Sequence, residues 1–378
     1  MYSITDLEAA ARRRLPRRVY DFIAGGAGAE ASVRNNVEAF QRIRFVPRTM
    51  VDIQRRTMAA RLLGRDYAAP FGIAPMGMCD IAWPGTDEGL ARAARTAGIP
   101  YCLSMAGSSA LAEVHRHAGE YLWYQVYLCG SDALWERQFS RAEALGVENL
   151  ILTVDVPVPG RRLRDLRNGF SVPVRWTPSL LLDFATHPAW SLRTLARGAP
   201  RMRNMESFAG ERHGASSLDS ILAIFASAVH EWEVIERLRD RWKGKLIIKG
   251  ILHPADAVRL AGLGADAIVV SNHGGRQLSS AISSIEALPA IRHAIGREFP
   301  LILDSGIRSG EDIAKALAYG ADFVLVGRPF LFGSAALGPA RGPQAVIRIL
   351  QAELDMTLAQ LGCTSPAMLS PDFVHVTG

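Results

Sequence analysis

The chain has 378 residues, of which 49% are hydrophobic and 21% charged, a globular composition with room for one large barrel-type domain or two ordinary ones. Four scattered cysteines without CxxC spacing argue against a disulfide framework and a metal site, and they favour a reducing compartment. The N-terminal segment mixes acidic residues and arginines with no apolar stretch behind them, which argues against a signal peptide or a transmembrane segment.

The positive charge is local. The formal net charge is +6, and nine arginines with only two aspartates lie between Arg161 and Arg203, so this segment carries the whole excess. A nucleic-acid surface would more often interleave Lys and Arg with stacking aromatics in a recognisable module, and none is apparent. We therefore expect no nucleic-acid partner, and an anionic membrane surface fits the segment better.

Short apolar runs, each ending in a polar or Gly-containing turn, recur eight times along the chain, with helix-like stretches between them. They are PFGIAPM from 70, PYCLSMA from 100, YLWYQVYL from 121, NLILTVD from 149, KLIIKG from 245, AIVVSNHG from 267, LILDSG from 301 and FVLVGR from 323. This alternation predicts an α/β fold, a (β/α)8 TIM barrel with its active site at the strand C-termini. An open doubly wound sheet is the alternative.

The interval between NLILTVD and KLIIKG is much longer than the others, so we expect a long insertion after strand 4. We predict one domain over residues 1–378, in which region 157–244 joins strands 4 and 5 and includes a basic Trp/Leu-containing insertion at about 160–215. Trp176, Trp190 and the run from Leu180 to Leu182 need apolar surroundings, which argues against a disordered excursion. A lid, a partner surface and a membrane-binding segment all remain open.

Polar residues and glycines follow each predicted strand. Taken singly, they have ordinary explanations, such as satisfying a backbone group or capping the next helix. Converging on one barrel mouth, they predict a binding site. The residues are Pro75, Met76, Gly77, Ser104, Gln125, Tyr127, Thr153, Asp155, Lys249, His273, Arg276, Asp304, Gly306, Arg308, Gly327 and Arg328.

The last two strands are followed by Gly-rich turns, LDSGIRSG and LVGRPFLFG. Barrels of this type often cradle a phosphate on backbone N–H groups at this place, and Arg308 and Arg328 add positive charge. The turns therefore predict a phosphorylated cofactor or substrate. Ser104, Gln125 and Thr153 offer hydrogen bonds to a flat heterocycle, and Lys249 offers a positive charge beside it.

Seven motifs in order, IAPMG, WYQVY, LTVDVP, IIKG, SNHGGRQL, LDSGIRSG and VGRP, strongly resemble the FMN-dependent 2-hydroxy-acid dehydrogenase and oxidase family, which includes lactate dehydrogenases, glycolate oxidases and mandelate dehydrogenases. The resemblance runs from Leu15-Pro16 to the C-terminal LSPDF. VDVPVPGRRLRDLRNGFSVP and HPAWSL are most similar to the lactate and mandelate dehydrogenase branch, and Gly77 resembles the glycine of its dehydrogenases.

The resemblance implies an FMN cofactor and oxidation of a 2-hydroxy acid to the 2-oxo acid. It makes His273 the base, places Asp155 beside it, assigns the substrate carboxylate to Arg276 and Arg162, and adds Tyr127 to the catalytic set. Lys249 would stabilise the reduced, anionic flavin. Whether the carbon-bound hydrogen leaves as a proton or a hydride stays open.

The resemblance also implies partners and a location. The electron acceptor is a quinone, a carrier or oxygen, and Gly77 favours a quinone or carrier. We expect a homo-oligomer, a tetramer by resemblance, in the cytoplasm, with contact to the cytoplasmic face of the inner membrane as a further possibility.

Three positions depart from relatives. Tyr20-Asp21-Phe22 stands where YDY is usual, so the hydroxyl that helps bind the substrate carboxylate is absent. Ser279 replaces the acid of RQLD, which we expect to loosen the orientation of Arg276 or alter the following helix entry. Ala106 stands where glycolate oxidases have Trp. Together, Phe22 and Ala106 predict a larger or more apolar substrate, such as an aryl 2-hydroxy acid.

Two other functions remain as alternatives. One is an FMN oxidase or dehydrogenase of a different alcohol on a larger scaffold, suggested by Phe22. The other is a flavin-binding protein with little turnover that serves as a membrane-associated or partner-binding module, for which the basic insertion is the support.

Overall fold

A closed barrel of eight parallel strands forms the centre of the computed structural model, which describes residues 1–129, 131–169, 177–198, 200–205 and 231–377. Each strand pairs with its neighbours in chain order, and the last pairs with the first. The predicted TIM barrel is confirmed. Its strands, β1 to β8, are Phe71–Ile73, Tyr101–Ser104, Leu122–Val126, Asn149–Thr153, Lys245–Ile251, Ala267–Val270, Leu301–Leu303 and Phe323–Val326.

Helices surround the barrel and precede it. Three of them come before the first barrel strand, and the others lie between strands or after the last one. In chain order, α1 to α15 are Ile4–Arg14, Arg17–Ala24, Ala31–Gln41, Thr86–Ala97, Leu111–Ala118, Asp132–Ala144, Leu163–Arg167, Pro178–Ala185, Pro188–Arg197, Trp232–Arg241, Pro254–Gly262, Ser284–Ile295, Gly310–Ala318, Arg328–Leu337 and Gly342–Leu361.

The barrel strands carry apolar side chains on both faces, because both faces are shielded from solvent. One face packs against helices, and the other fills the barrel with side chains such as Trp123, Ile247, Val269 and Phe323. A two-stranded hairpin, Ala60–Leu62 with Arg65–Tyr67, packs against this interior cluster, and the Trp123 indole N–H donates to its Tyr67 hydroxyl at 3.2 Å. The opposite end of the barrel is therefore the end left for ligands.

Helix α3 closes over two of the loops at that end. Asn36 of α3 and Asn272 after β6 exchange amide hydrogen bonds of 2.8 and 2.7 Å, and both side chains are buried. Gly306 after β7 has a φ of +94°, and a Cβ there would overlap the Asn36 carbonyl. The N-terminal helices thus fix the position of the turn that carries His273.

Among the described residues, the region between β4 and β5 contains α7 to α10, of which α7 to α9 lie in the insertion. Leu180 and Trp190 are buried, and the Trp190 indole donates to the Ile81 carbonyl at 3.0 Å. Leu181 and Leu182 are exposed, so only part of the apolar set that was expected to be buried is buried. Trp176 lies outside the described residues. The assignment of residues 1–378 to one domain, with the insertion at about 160–215, stays a prediction.

None of the helices among the described residues is both long and apolar enough to cross a bilayer.

We predict that Asn36→Ala lowers the free energy of unfolding by about 1–3 kcal/mol, because it leaves the buried Asn272 amide without its reciprocal partner. The matched control is Asn35→Ala, since Asn35 bonds Glu286 in a more exposed setting on the same helix. Urea denaturation of both variants measures the difference. Equally small decreases in the free energy of unfolding of the two variants would contradict the proposed stabilising role of the Asn36–Asn272 pair.

Candidate active site

The predicted site residues converge on one cavity of about 250 Å³ at the C-terminal end of the barrel. Asp155 is the exception, and it lies directly behind His273. The predicted residues that line the cavity are Pro75, Met76, Gly77, Ser104, Gln125, Tyr127, Thr153, Arg162, Lys249, His273, Arg276, Asp304, Gly306, Arg308, Gly327 and Arg328.

His273 stands on a short turn directly after β6. Its φ is +58°, a left-handed conformation, and its backbone N–H donates to the Ser271 hydroxyl at 3.0 Å. Its imidazole Nδ1 lies 2.9 Å from Asp155 Oδ1. Gly250 of IIKG makes room for this pair, because its φ is +107° and a Cβ there would lie 2.5 Å from the Asp155 Cβ. Residues of two sequence motifs, SNHGGRQL and IIKG, thus position one imidazole–carboxylate pair.

The Asp155 carboxylate is held in its charged form. Burial alone would raise its pKa, but the nearby His273 and Lys249 outweigh burial, so the pKa is lowered. An ionised carboxylate at Nδ1 favours the tautomer that carries its proton there. His273 Nε2 is then the nitrogen able to accept a proton.

Arg276 and Arg162 share the aromatic ring of Phe22. Their guanidinium carbons lie 5.0 and 5.3 Å from the ring centroid, a distance at which a cation is attracted to the ring. Arg276 Nη1 also donates to the carbonyls of Phe22 and Gly25, at 2.8 and 3.1 Å. The Phe22 ring thus supports both arginines, without the hydroxyl that a tyrosine would add at this position.

The arginines lie in a cationic environment. Desolvation in the cavity wall, with repulsion from Arg162 and Arg328, lowers the pKa of Arg276 well below its ordinary value. Desolvation, with repulsion from Arg308, lowers the pKa of Arg328 to about 9. Such clustering destabilises the charged groups until an anion joins them, so the cavity favours anionic ligands.

Side chains at the ends of β2, β3 and β4 form a hydrogen-bonded strip along the cavity wall. The Ser104 hydroxyl donates to Gln125 Oε1 at 2.6 Å, and Gln125 Nε2 donates to the Thr153 hydroxyl at 3.0 Å. Lys249 Nζ lies beside this strip, where it donates to Ser271 at 2.9 Å and pairs with Asp304 at 3.3 Å. Burial opposes its charge, but Asp304 and Asp155 raise the pKa of Lys249, so it remains a cation.

The turns after β7 and β8 fit a phosphate group. Within the described chain, the amide N–H groups of Gly306, Ile307, Gly327 and Arg328 donate to no protein acceptor, and all four residues line the cavity. Gly327 caps α14, and Arg308 adds a second guanidinium. One phosphate site beside a strip of amide and hydroxyl groups matches the donors that FMN requires.

Several lining residues were not predicted from the sequence. Gln277 follows Arg276 in HGGRQL, and its side chain accepts from the Gly160 N–H at 2.9 Å, so that motif contained a usable signal. Met202 reaches the cavity from the insertion, and Val156 from the loop after β4. Neither carries a sequence pattern that marks a site.

The predicted effect of Ser279 on the orientation of Arg276 stays a prediction. The Ser279 carbonyl accepts a hydrogen bond from the Ser32 N–H at 2.8 Å.

Comparisons with known proteins agree with this geometry. The family model described as FMN-dependent dehydrogenase matches residues 11–376. The chain is 40% identical over 381 residues to the (S)-mandelate dehydrogenase of Pseudomonas putida, covering 100% of this chain and 95% of that protein. It is 36% identical over 369 residues to an L-lactate dehydrogenase of Pseudomonas paraeruginosa, covering 97% and 96%.

Solved structures of 2-hydroxy-acid dehydrogenases and oxidases are also similar to this chain. A crystal structure of the monotopic membrane protein (S)-mandelate dehydrogenase aligns with a TM-score of 0.93 and 39% identity over 100% of both chains. A mandelate oxidase aligns with a TM-score of 0.83 and 34% identity, again over 100% of both chains. The two alternative functions, a different alcohol and little turnover, are not favoured. The chain belongs to the FMN-dependent dehydrogenase family and is an FMN-dependent enzyme that oxidises 2-hydroxy acids.

Proposed function

We propose that this enzyme oxidises an aryl 2-hydroxy acid such as mandelate to the 2-oxo acid, with His273 as the base and Arg276 and Arg162 as the carboxylate ligands. The observation that carries the proposal is the His273–Asp155 pair, which opens onto the same cavity as two arginines stacked on Phe22. Similarity to a mandelate dehydrogenase and a mandelate oxidase supports the aryl substrate.

Arg276 and Arg162 orient the substrate by its carboxylate. Within the described chain, Arg276 uses only Nη1 for protein acceptors, so Nε and Nη2 remain for a ligand. Burial, with the nearby Asp155 charge, raises the pKa of the Tyr127 phenol, so the hydroxyl stays protonated and can donate to the same carboxylate. Charge-assisted hydrogen bonds of this kind fix the position of the hydroxyl-bearing carbon.

His273 receives a proton from the substrate at Nε2, and Asp155 stabilises the imidazolium that forms. When bound, FMN would supply the acceptor for the two electrons and the second hydrogen that leave the substrate. Lys249 holds a positive charge beside the strip of Ser104, Gln125 and Thr153 that we assign to the flavin ring. This placement allows Lys249 to stabilise negative charge on its neighbour.

The cavity wall at Ala106 favours a bulky substrate. Ala106 is a small residue in the cavity lining, and a Cβ at Gly77 would lie 3.1 Å from the Ala106 Cβ. Apolar side chains of Val156 and Met202 line the same cavity. An aryl group would find both space and apolar surface there.

The insertion supports a membrane location, which would suit a quinone or carrier as electron acceptor. Leu192 and Leu195 of α9 are 67% and 80% exposed, near the exposed Leu181 and Leu182 of α8. Arg193 lies on the same helix, and such a mixture binds anionic bilayers peripherally. We place the enzyme on the cytoplasmic face of the inner membrane, while the homotetramer stays a prediction.

His273→Ala should lower kcat with mandelate by 10²-fold to 10⁴-fold or more, estimated roughly from the usual loss of a general base. FMN should remain bound, because His273 is assigned to proton transfer. Steady-state turnover together with the FMN-to-protein absorbance ratio checks both points. Turnover close to that of the parent enzyme would remove His273 from the proposed chemistry.

Ala106→Trp should lower kcat/KM for mandelate by roughly 10-fold to 200-fold, the range expected when a pocket loses space for a few carbon atoms. Lactate has a methyl group in place of the phenyl ring, so its kcat/KM should change much less. The two substrates measured on the same preparation control for folding and FMN content. Equal losses for both would mean that position 106 does not contact the aryl group.

Leu192→Ser with Leu195→Ser should weaken co-sedimentation with anionic liposomes at low salt, because the exposed apolar surface of α9 is lost. Met356→Ser is the matched control, since Met356 is also an exposed apolar residue on a helix away from the insertion. Retention of full liposome binding by the double variant, or absence of binding by the parent, would contradict the membrane role.

A further inference from the structure

Asp165 is a buried carboxylate at the substrate arginines. It lies on α7, three residues after Arg162, and is 9% exposed. Its Oδ2 lies 3.3 Å from Arg162 Nε. Although this oxygen is buried, it accepts no hydrogen bond of good geometry within the described chain. A desolvated carboxylate oxygen without a donor is in an environment that favours its protonated form.

Charged groups from three parts of the fold face Asp165. Arg162 and Arg164 belong to the start of α7, Arg276 to the loop after β6, and Asp21 to α2. Arg164 is itself engaged by Asp21 at 3.3 Å and by Glu30. Asp165 is therefore the carboxylate that balances Arg162 and Arg276.

We propose that Asp165 takes up a proton when the carboxylate of a 2-hydroxy acid, or of its 2-oxo product, binds to Arg162 and Arg276. This inference rests on the proposed carboxylate site. Asp165 is a positioning residue, because it acts through Arg162 and contributes no group to the reaction.

The physical reason is a competition between two anions for the same two cations. Without a ligand, ionised Asp165 offsets part of the charge of Arg162 and Arg276. A bound carboxylate takes over that role and repels Asp165, which raises the pKa of Asp165. Burial already raises this pKa in the free enzyme, with Asp21 adding to the effect and Arg162 and Arg276 opposing it. Repulsion by the ligand acts in the same direction as burial.

The sign of the pH effect follows from this coupling. Neutral Asp165 leaves the full charge of both arginines to the ligand, so the protonated enzyme binds carboxylates more tightly. The dissociation constant should therefore fall as the pH decreases toward the pKa of Asp165 in the free enzyme, by at most about tenfold per pH unit for one proton. At higher pH, above the pKa of Asp165 in the complex, the dependence should disappear.

His273 lines the same cavity and is assigned to proton transfer, so its contribution to proton uptake must be removed. We would use the FMN-loaded His273→Ala enzyme and titrate it with phenylglyoxylate, the 2-oxo acid derived from mandelate. Calorimetry in buffers with different ionisation enthalpies counts the protons taken up on binding. The same titration with Asp165→Asn added tests the assignment, and Glu353→Gln is the control, because that partly buried carboxyl also has a raised pKa but bonds the Gly310 N–H.

We expect proton uptake, approaching about one proton per site at its maximum, in the His273→Ala enzyme and in its Glu353→Gln derivative. Adding Asp165→Asn should abolish the uptake and strengthen binding several-fold at neutral pH. Uptake that survives Asp165→Asn, or absence of uptake across about pH 5 to 8 in its parent, would overturn the inference.

A further variant separates this inference from the proposed function. Arg162→Leu should weaken phenylglyoxylate binding if the carboxylate site is correct. Weaker binding in Arg162→Leu together with uptake that persists in Asp165→Asn would refute only the role of Asp165. Unchanged binding in Arg162→Leu would refute the carboxylate site and, with it, the inference.

Discussion

Desolvated positive charge at the mouth of the barrel is the constraint on which the rest of the site depends. Arg162, Arg276, Arg308, Arg328 and Lys249 all line one cavity, and the pKa values of Arg276, Arg308 and Arg328 are lowered by desolvation. Cations in this situation require anions nearby.

Three kinds of anion meet that requirement. Protein carboxylates pair with some of the cations, as Asp304 does with Lys249 and Asp165 with Arg162. A cofactor phosphate suits the turns that carry Arg308 and Arg328, where backbone N–H groups have no protein acceptor among the described residues. A substrate carboxylate suits the remaining arginine nitrogens. We therefore propose that binding of the cofactor phosphate and binding of the substrate carboxylate have one electrostatic origin.

Sequence reasoning identified the parts of the site that depend on strand order. The apolar run Ala267–Val270 has to be a strand buried on both faces, and a TIM barrel places whatever follows such a strand at one mouth. His273 and Arg276 follow that strand, and both line the cavity at this mouth. Strand order could not locate Met202 or explain Asp165, because their positions depend on how the insertion folds back onto the barrel.

Contacts of the N-terminal helices and of the insertion were likewise not predictable from the sequence. The amide exchange between Asn36 and Asn272 joins residues far apart in sequence, and no local pattern announces it. In the insertion, Leu180 is buried while the adjacent Leu181 is exposed. Tertiary packing determines which of the two is buried, and composition alone does not predict it.

We propose that the cation cluster selects substrates by their carboxylate. Anaerobic mixing of the FMN-loaded enzyme with mandelate, or with the neutral analogue 1-phenylethane-1,2-diol, tests it through the bleaching of flavin absorbance. The account predicts rapid bleaching by mandelate and bleaching by the diol that is slower by at least roughly 100-fold, since two charge-assisted hydrogen bonds are lost. Comparable rates for the two compounds would contradict it.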